Sequence, residues 1–229
     1  MKCGSENGCA YTLRVSKQCI YWKMALCDFV SYNEAIGRNG IIVVPETDLI
    51  DAKTAYANHN YNDSFLRTYE SRIMVHSTTF ENYKSILRSG ALKSWNILKN
   101  IKIIKEEYPI GMQLGDPVDL RDYILFGTGT TGEIVVNSKQ ANRLIYDENV
   151  EYKPGARLYF DMKKIAEDGL LIRDGGEMKV RDILQLKPYL VWTATWDNVG
   201  LESPLSTPKI FANKADKLFR KYYGEEYGF

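Results

Sequence analysis

The sequence predicts an α+β fold, and three observations carry that prediction. Short strand-like runs and short helical periods interleave along the chain. They do so without a regular strand–helix–strand rhythm, which argues against a doubly wound sheet. No internal repeat or low-complexity stretch organises them. With 229 residues, 45% hydrophobic and 26% charged, the chain has the proportions of an ordinary globular protein rather than a disordered one. Its longest apolar runs, such as Ile41–Val44 and Tyr189–Trp192, fall far short of the roughly 20 residues a membrane span needs.

The first 70 residues predict an extension of mixed helix and strand. Leu13, Ile20, Trp22, Leu26, Phe29 and Val30 give Tyr11–Tyr32 a loosely helical spacing. Ile41–Val44 is a short strand stopped by Pro45, Asp48–Tyr56 is helical, and Asn58–Asp63 is a polar loop. Residues 71–200 form the main domain. Arg72–Val75 is a strand running into His76-Ser77-Thr78-Thr79, and Glu81–Arg88 is a helix ended by Gly90. Lys93–Pro109 is a basic, apolar and partly helical connector. Gly111–Gly132 is glycine-rich and holds a short strand at Tyr123–Phe126. Glu133–Val136 has the β-branched character of a strand, and Ser138–Tyr146 suits one or two helical turns. Ala156–Phe160, Glu177–Val180 and Tyr189–Thr195 are strands, and Met162–Glu167 is a helix ending before Gly169. Residues 201–229 are a C-terminal helical tail, amphipathic over Phe211–Tyr223.

Composition and spacing exclude several function classes. Lys+Arg number 30 against 29 Asp+Glu, so no global basic footprint for nucleic acid exists. Cys3, Cys9, Cys19 and Cys27 cluster, yet they form no C-x-x-C pair and have no histidine nearby. Reduced thiols and no metal are the expectation. The polar start Met1–Ala10 has no apolar run after it, so a cytoplasmic location is expected and no membrane contact. Only His59 and His76 are present, which leaves a two-histidine mechanism without support. There is no G-x-S-x-G elbow and no Walker A lysine pattern. Gly127 and Gly129 do not complete a G-x-G-x-x-G, and a strand rather than a helix is expected after them.

Val75-His76-Ser77-Thr78-Thr79 stands out because a histidine followed by hydroxyl residues at a strand end can hydrogen-bond a ribose diol. The alternative is a histidine satisfied in the core or in the turn before the helix. Met74–Leu92 resembles the opening motif of the ADP-ribosyltransferase superfamily, in which a strand and histidine precede a helix ending "S-I-L-x-x-G-L". Poly(ADP-ribose) polymerase catalytic domains, DarT-type toxins and RNA 2′-phosphotransferases share it. Leu125-Phe126-Gly127-Thr128-Gly129 and then Asn137-Ser138-Lys139-Gln140-Ala141-Asn142 resemble the polymerase "F-G-K-G-I-Y-F" and "S-K-S-A-N". Gly176-Glu177-Met178-Lys179-Val180-Arg181-Asp182 resembles "N-E-Y-I-V-Y-D", with Leu186-Lys187-Pro188-Tyr189-Leu190 after it. Leu120-Arg121-Asp122-Tyr123-Ile124 is similar to a DarT segment, and Ala156–Gly169 to the strand and helix before the last phosphotransferase motif. The likeness covers roughly residues 70–195.

The resemblance implies a split antiparallel sheet and a mono-ADP-ribosyltransferase that consumes NAD, releases nicotinamide and needs no metal. It assigns NAD contacts to His76, Ser77, Thr78 and Ser138. Ser77 stands where the family has glycine. Thr131 stands near the family's stacking tyrosine, which makes Tyr123 the candidate stacking partner. The acid falls on Glu177, and Glu133 is a second glutamate following a glycine at an expected strand start. Arg121 and Arg157 are candidates for the arginine of the DarT and phosphotransferase branches. Two other readings stay open: a non-catalytic binding module or phage-related accessory protein, and an RNA 2′-phosphotransferase, which needs cations gripping a phosphate. The acceptor is a protein or a nucleic acid. Trp95 among the lysines of Lys93–Tyr108 could hold a nucleic acid strand by charge and stacking, although a solvated helix face is the favoured reading. No family motif precedes Ser71, so the Cys3–Cys27 segment is expected to be dispensable for chemistry and free to recruit a partner protein.

Overall fold

Seven helices and four small sheets occur among the described residues of the computed structural model, which are 2–6, 10–15, 19–59, 64–114 and 116–229. The α+β class is as the sequence predicts. Cys9, Gly115 and residues 60–63 of the predicted loop lie outside the described residues, as does the Cys3 side chain.

In the extension, β1 (Lys2–Glu6) pairs antiparallel with β2 (Ala10–Arg14), and β2 pairs parallel with β3 (Gly40–Val43). Helices α1 (Trp22–Ala35) and α2 (Leu49–Ala57) pack together and enclose Leu13, Leu26, Phe29, Val30 and Ala52 in a small core of their own. The helical expectation for Tyr11–Tyr32 is thus corrected. Its first part is a strand, because pairing with β1 and β3 satisfies the backbone there.

The main domain begins with β4 (Ile73–Thr78) and α3 (Phe80–Ser89). The Thr79 hydroxyl accepts the Asn82 N–H and caps α3, which stops at Gly90. Next come β5 (Ala91–Lys93), α4 (Trp95–Asn100), β6 (Tyr123–Phe126) and α5 (Thr131–Ala141). The strand expected at Glu133–Val136 is therefore helix, and a helix does follow Gly127 and Gly129. The chain continues with β7 (Ala156–Asp161), α6 (Met162–Glu167), β8 (Ile172–Arg173), β9 (Met178–Arg181), β10 (Ile183–Gln185), β11 (Leu190–Thr195) and α7 (Pro208–Tyr227).

Strand β7 is buried along its whole length and sits between β11 and β4, antiparallel to both. Leu158 and Phe160 face one core; Tyr159 faces another, where Phe211, Ala215 and Phe219 of α7 pack. The tail is therefore a wall of this sheet: the Tyr159 and Phe219 rings stack at 4.4 Å, and Asp216 pairs with the buried Arg157. A second sheet runs in the order β6-β9-β8, and β5 pairs with β10 beside it. The two larger sheets meet at one antiparallel bridge, where Val75 and Gly127 exchange both backbone hydrogen bonds at 2.9 and 3.0 Å. That seam positions the candidate site.

Candidate active site

Register links the strands at the two ends of the predicted site through β6. Strand β6 pairs with β9 up to Phe126 opposite Met178, with Gly127 following on one strand and Glu177 preceding on the other. Gly127 bridges Val75, the neighbour of His76 on β4. Strand β6 therefore lies between the strand that carries His76 and the strand that Glu177 precedes.

His76 is half-buried, with its ring edge-on to Phe126 at 6.4 Å. Its Nδ1 lies 3.1 Å from the Leu125 carbonyl oxygen, and a carbonyl can only accept. Nδ1 thus carries the proton and Nε2 is a free acceptor. Burial pushes the imidazole down to about 4, and the nearby Lys139 ammonium adds to the fall, so the ring is neutral near pH 7. A neutral acceptor facing the seam is what a ligand hydroxyl requires. Thr78 is buried at the end of β4, where the Gly155 backbone presses on it.

Ser77 points elsewhere. Its hydroxyl donates to Glu133 Oε1 at 2.5 Å, and Tyr152 donates to Oε2 at 2.7 Å. The Arg157 guanidinium lies 3.6 Å from Glu133 and makes a two-pronged pair with Asp216 at 3.0 and 3.1 Å. Glu133 has no exposed surface, and burial pushes its carboxyl up against the opposing pull of Arg157. It ties α5 to β4 and β7, so the strand-start glutamate of the sequence reading becomes an internal anchor. Arg157 is buried, hydrogen-bonds Asp216 and Tyr159, and leaves Nη1 without a hydrogen-bond partner, 3.6 Å from Glu133.

Glu177 occupies the turn between β8 and β9. Asp174 Oδ1 accepts the N–H groups of Gly176 at 2.9 Å and Glu177 at 2.7 Å. Gly175 has φ +87°, and a Cβ there would come within 2.5 Å of the Ala25 carbonyl and 3.0 Å of Phe29. Helix α1 thus packs directly on this turn. Buried pairs hold the same junction: Arg67 with Asp28 at 2.6 Å, and Arg173 with Glu70 at 2.5 Å. Ala25, which lies in the Cys3–Cys27 segment expected to be dispensable, belongs to the helix that backs the turn. Glu177 is exposed to solvent on one side. Burial raises the carboxyl to about 7, Asp174 and Asp116 add to the rise, and Lys179 opposes it.

Two charged groups join the seam that the sequence reading did not single out. Lys139 on α5 acts on His76 and is in turn drawn on by Glu106 from the connector; desolvation lowers its ammonium. It lies within the quoted S-K-Q-A-N run, and only the helical state of α5 turns it this way. Asp174 could have been found from Asp174-Gly175-Gly176, a turn signature directly before the acid.

The other predicted residues lie apart. Thr131 starts α5 and is exposed. Ser138 is buried, and the Ile145 backbone uses its hydroxyl both as donor and as acceptor. Tyr123 is buried against Lys179 and accepts from Arg181 at 2.9 Å. It also lines a cavity of about 560 Å³ between the extension and the main domain, together with Arg38, Arg121 and Arg181. Among the described residues no group of three or more His, Cys, Asp or Glu could hold a metal ion, and no helix is long and apolar enough to cross a membrane. Cys27 is buried and donates to the Ala55 carbonyl at 3.4 Å. No protein-family model, no curated protein and no solved structure matches this chain.

Proposed function

We propose that this protein is a mono-ADP-ribosyltransferase that takes NAD as substrate, with the seam between β4 and the β6–β9 pair as its active site. The observation that supports the reading is the Val75–Gly127 bridge, which joins the strand of His76, a neutral acceptor, to the β6–β9 pair that Glu177 precedes. The sheet arrangement is compatible with the split sheet that the sequence resemblance implies.

In this reading His76 Nε2 accepts from a ribose hydroxyl of NAD. The bond between C1′ and the nicotinamide nitrogen breaks, and its electron pair leaves with nicotinamide. The Glu177 carboxylate stabilises the oxocarbenium-like ribose and holds the 2′-hydroxyl. The acceptor nucleophile then bonds to C1′, and Glu177 takes its proton. A carboxyl titrating near 7 suits that last role, because a base works best when its pKa lies near the operating pH. The phosphotransferase alternative needs cations within reach of a phosphate, and the Arg157 guanidinium is buried beside Asp216.

The test is nicotinamide release by the wild-type protein and by Glu177→Gln. The interaction is made mainly in the transition state, so turnover should fall about 10²–10³-fold while NAD affinity changes little. No release by the wild type, with NAD binding retained, would replace the enzyme with a binding module.

A further inference from the structure

Lys179 is fully buried on β9, two residues from Glu177 and on the same face of the strand. An ammonium leaves water at a cost of several kcal/mol unless the interior supplies partners. The adjoining turn and two distant parts of the chain supply them. Asp174 forms an ion pair with it. The Tyr32 ring of α1 lies 3.9 Å from Nζ, and the Tyr123 ring of β6 lies 4.6 Å away. Tyr32 is itself fixed, since its hydroxyl donates to Asp119, which also pairs with Arg38 at 2.5 Å. Asp174 then spans the gap to the acid: one oxygen meets Lys179, and the other takes the N–H groups of Gly176 and Glu177.

We propose that Lys179, clamped between Tyr32 and Tyr123, is a positioning residue that holds the Glu177 turn through Asp174 and sets the charge around the acid. Helix α1 is then a working part of the site. What Glu177 does chemically rests on the transferase reading; how it is held does not. The charged groups acting on Glu177 are Asp174, Lys179 and Asp116. Those behind the turn, on α1, the segment after α2 and β8, are Asp28, Arg67, Glu70 and Arg173, and they are paired among themselves.

The experiment titrates the Glu177 carboxyl by NMR in protein carrying 13C-carboxyl glutamate, the signal being assigned by its loss in Glu177→Gln. Lys179→Met keeps the aliphatic stem and removes the charge, so the midpoint should rise by at least about half a pH unit. Asp174→Asn keeps an acceptor for the turn and removes the like charge, so the midpoint should fall. Tyr32→Leu opens the ammonium to water, which screens its pull, so the midpoint should rise by less than in Lys179→Met. Should Lys179→Met not fold, the other two variants decide. Unmoved midpoints in folded Asp174→Asn and Tyr32→Leu would overturn the proposal. The predicted shifts, in a protein that releases no nicotinamide from NAD, would leave the positioning intact and sink the transferase reading instead.

Discussion

Glu177→Gln should stabilise the folded protein above neutral pH while removing the proposed acid. Burial, Asp174 and Asp116 raise the carboxyl from the usual 4.5 to about 7 against the pull of Lys179. The unfolded chain gives up this proton near 4.5 and the folded one near 7. Between those values the folded state binds more protons, so stability falls as pH rises through the interval. The penalty is absent below the lower value and complete above the higher one. At 1.36 kcal/mol per pH unit a fully buried group would lose roughly 3.4 kcal/mol, and the solvent contact of this side chain reduces that to on the order of 1 kcal/mol. Glutamine has no charge to desolvate and escapes the penalty. For a chain of this size the gain corresponds to about 2–4 °C in Tm. Thermal unfolding of both proteins at constant ionic strength, from about pH 4 to about pH 8.5, reads it directly. The gap between them should open in favour of Glu177→Gln as pH rises through the interval and then hold steady. A gap independent of pH, or one that opens in favour of the wild type, would refute the desolvated carboxylate.

Three further outcomes follow from the same geometry. Glu133→Gln removes one of two carboxylates on the buried Arg157; denaturant unfolding should show a loss of about 1–3 kcal/mol, with nicotinamide release by the folded protein little changed. A large loss of turnover without a loss of stability would return Glu133 to the chemistry. His76→Ala deletes the acceptor for a ligand hydroxyl, so calorimetry should show NAD binding weakened about tenfold or more, corresponding to roughly 1–3 kcal/mol; unchanged affinity in a folded variant would take His76 out of the site. Gly155→Ala would bring a methyl within 1.9 Å of the Thr78 carbonyl oxygen and 2.8 Å of the Thr79 backbone. Backbone cannot swing aside as a side chain can, so the denaturant midpoint should drop by the equivalent of more than about 2 kcal/mol, and a neutral result would mean that the end of β4 is free to shift.

Much of the main domain was legible because its signals are local. Thr79 and Gly90 bound α3, Asp161 caps α6 through the Lys163 and Lys164 N–H groups, and the run Ala156–Phe160 became the central strand. The extension was less so, because β2 exists only through pairing with strands before and after it, and an apolar spacing cannot report a partner. Arg157 and Lys179 were hidden for a similar reason: a buried cation is explained by carboxylates and rings that lie far away in sequence, here Asp216 for one and Tyr32 for the other.

The two glutamates show where local reading ends. Gly132-Glu133-Ile134-Val135-Val136 and Gly176-Glu177-Met178-Lys179-Val180 match in glycine, acid and two apolar positions and differ at Val135 and Lys179, yet one segment is helix and the other enters a strand. β-branched residues favour a strand only weakly, and the packing of α5 on β4 overrides that preference. One signal did separate them. Glu177, Lys179 and Arg181 alternate with Met178 and Val180, the period of a strand with one polar and one apolar face. After Glu133 no polar residue interrupts the run until Asn137, four positions on, which is the spacing of a helix face. Both Glu133 and Asn137 are buried, and each is satisfied by groups brought from elsewhere in the chain. An acid on an alternating strand can keep one side toward solvent and a substrate. An acid on the buried face of a helix is enclosed by its partners, which is why Glu177 rather than Glu133 is the residue to test for chemistry.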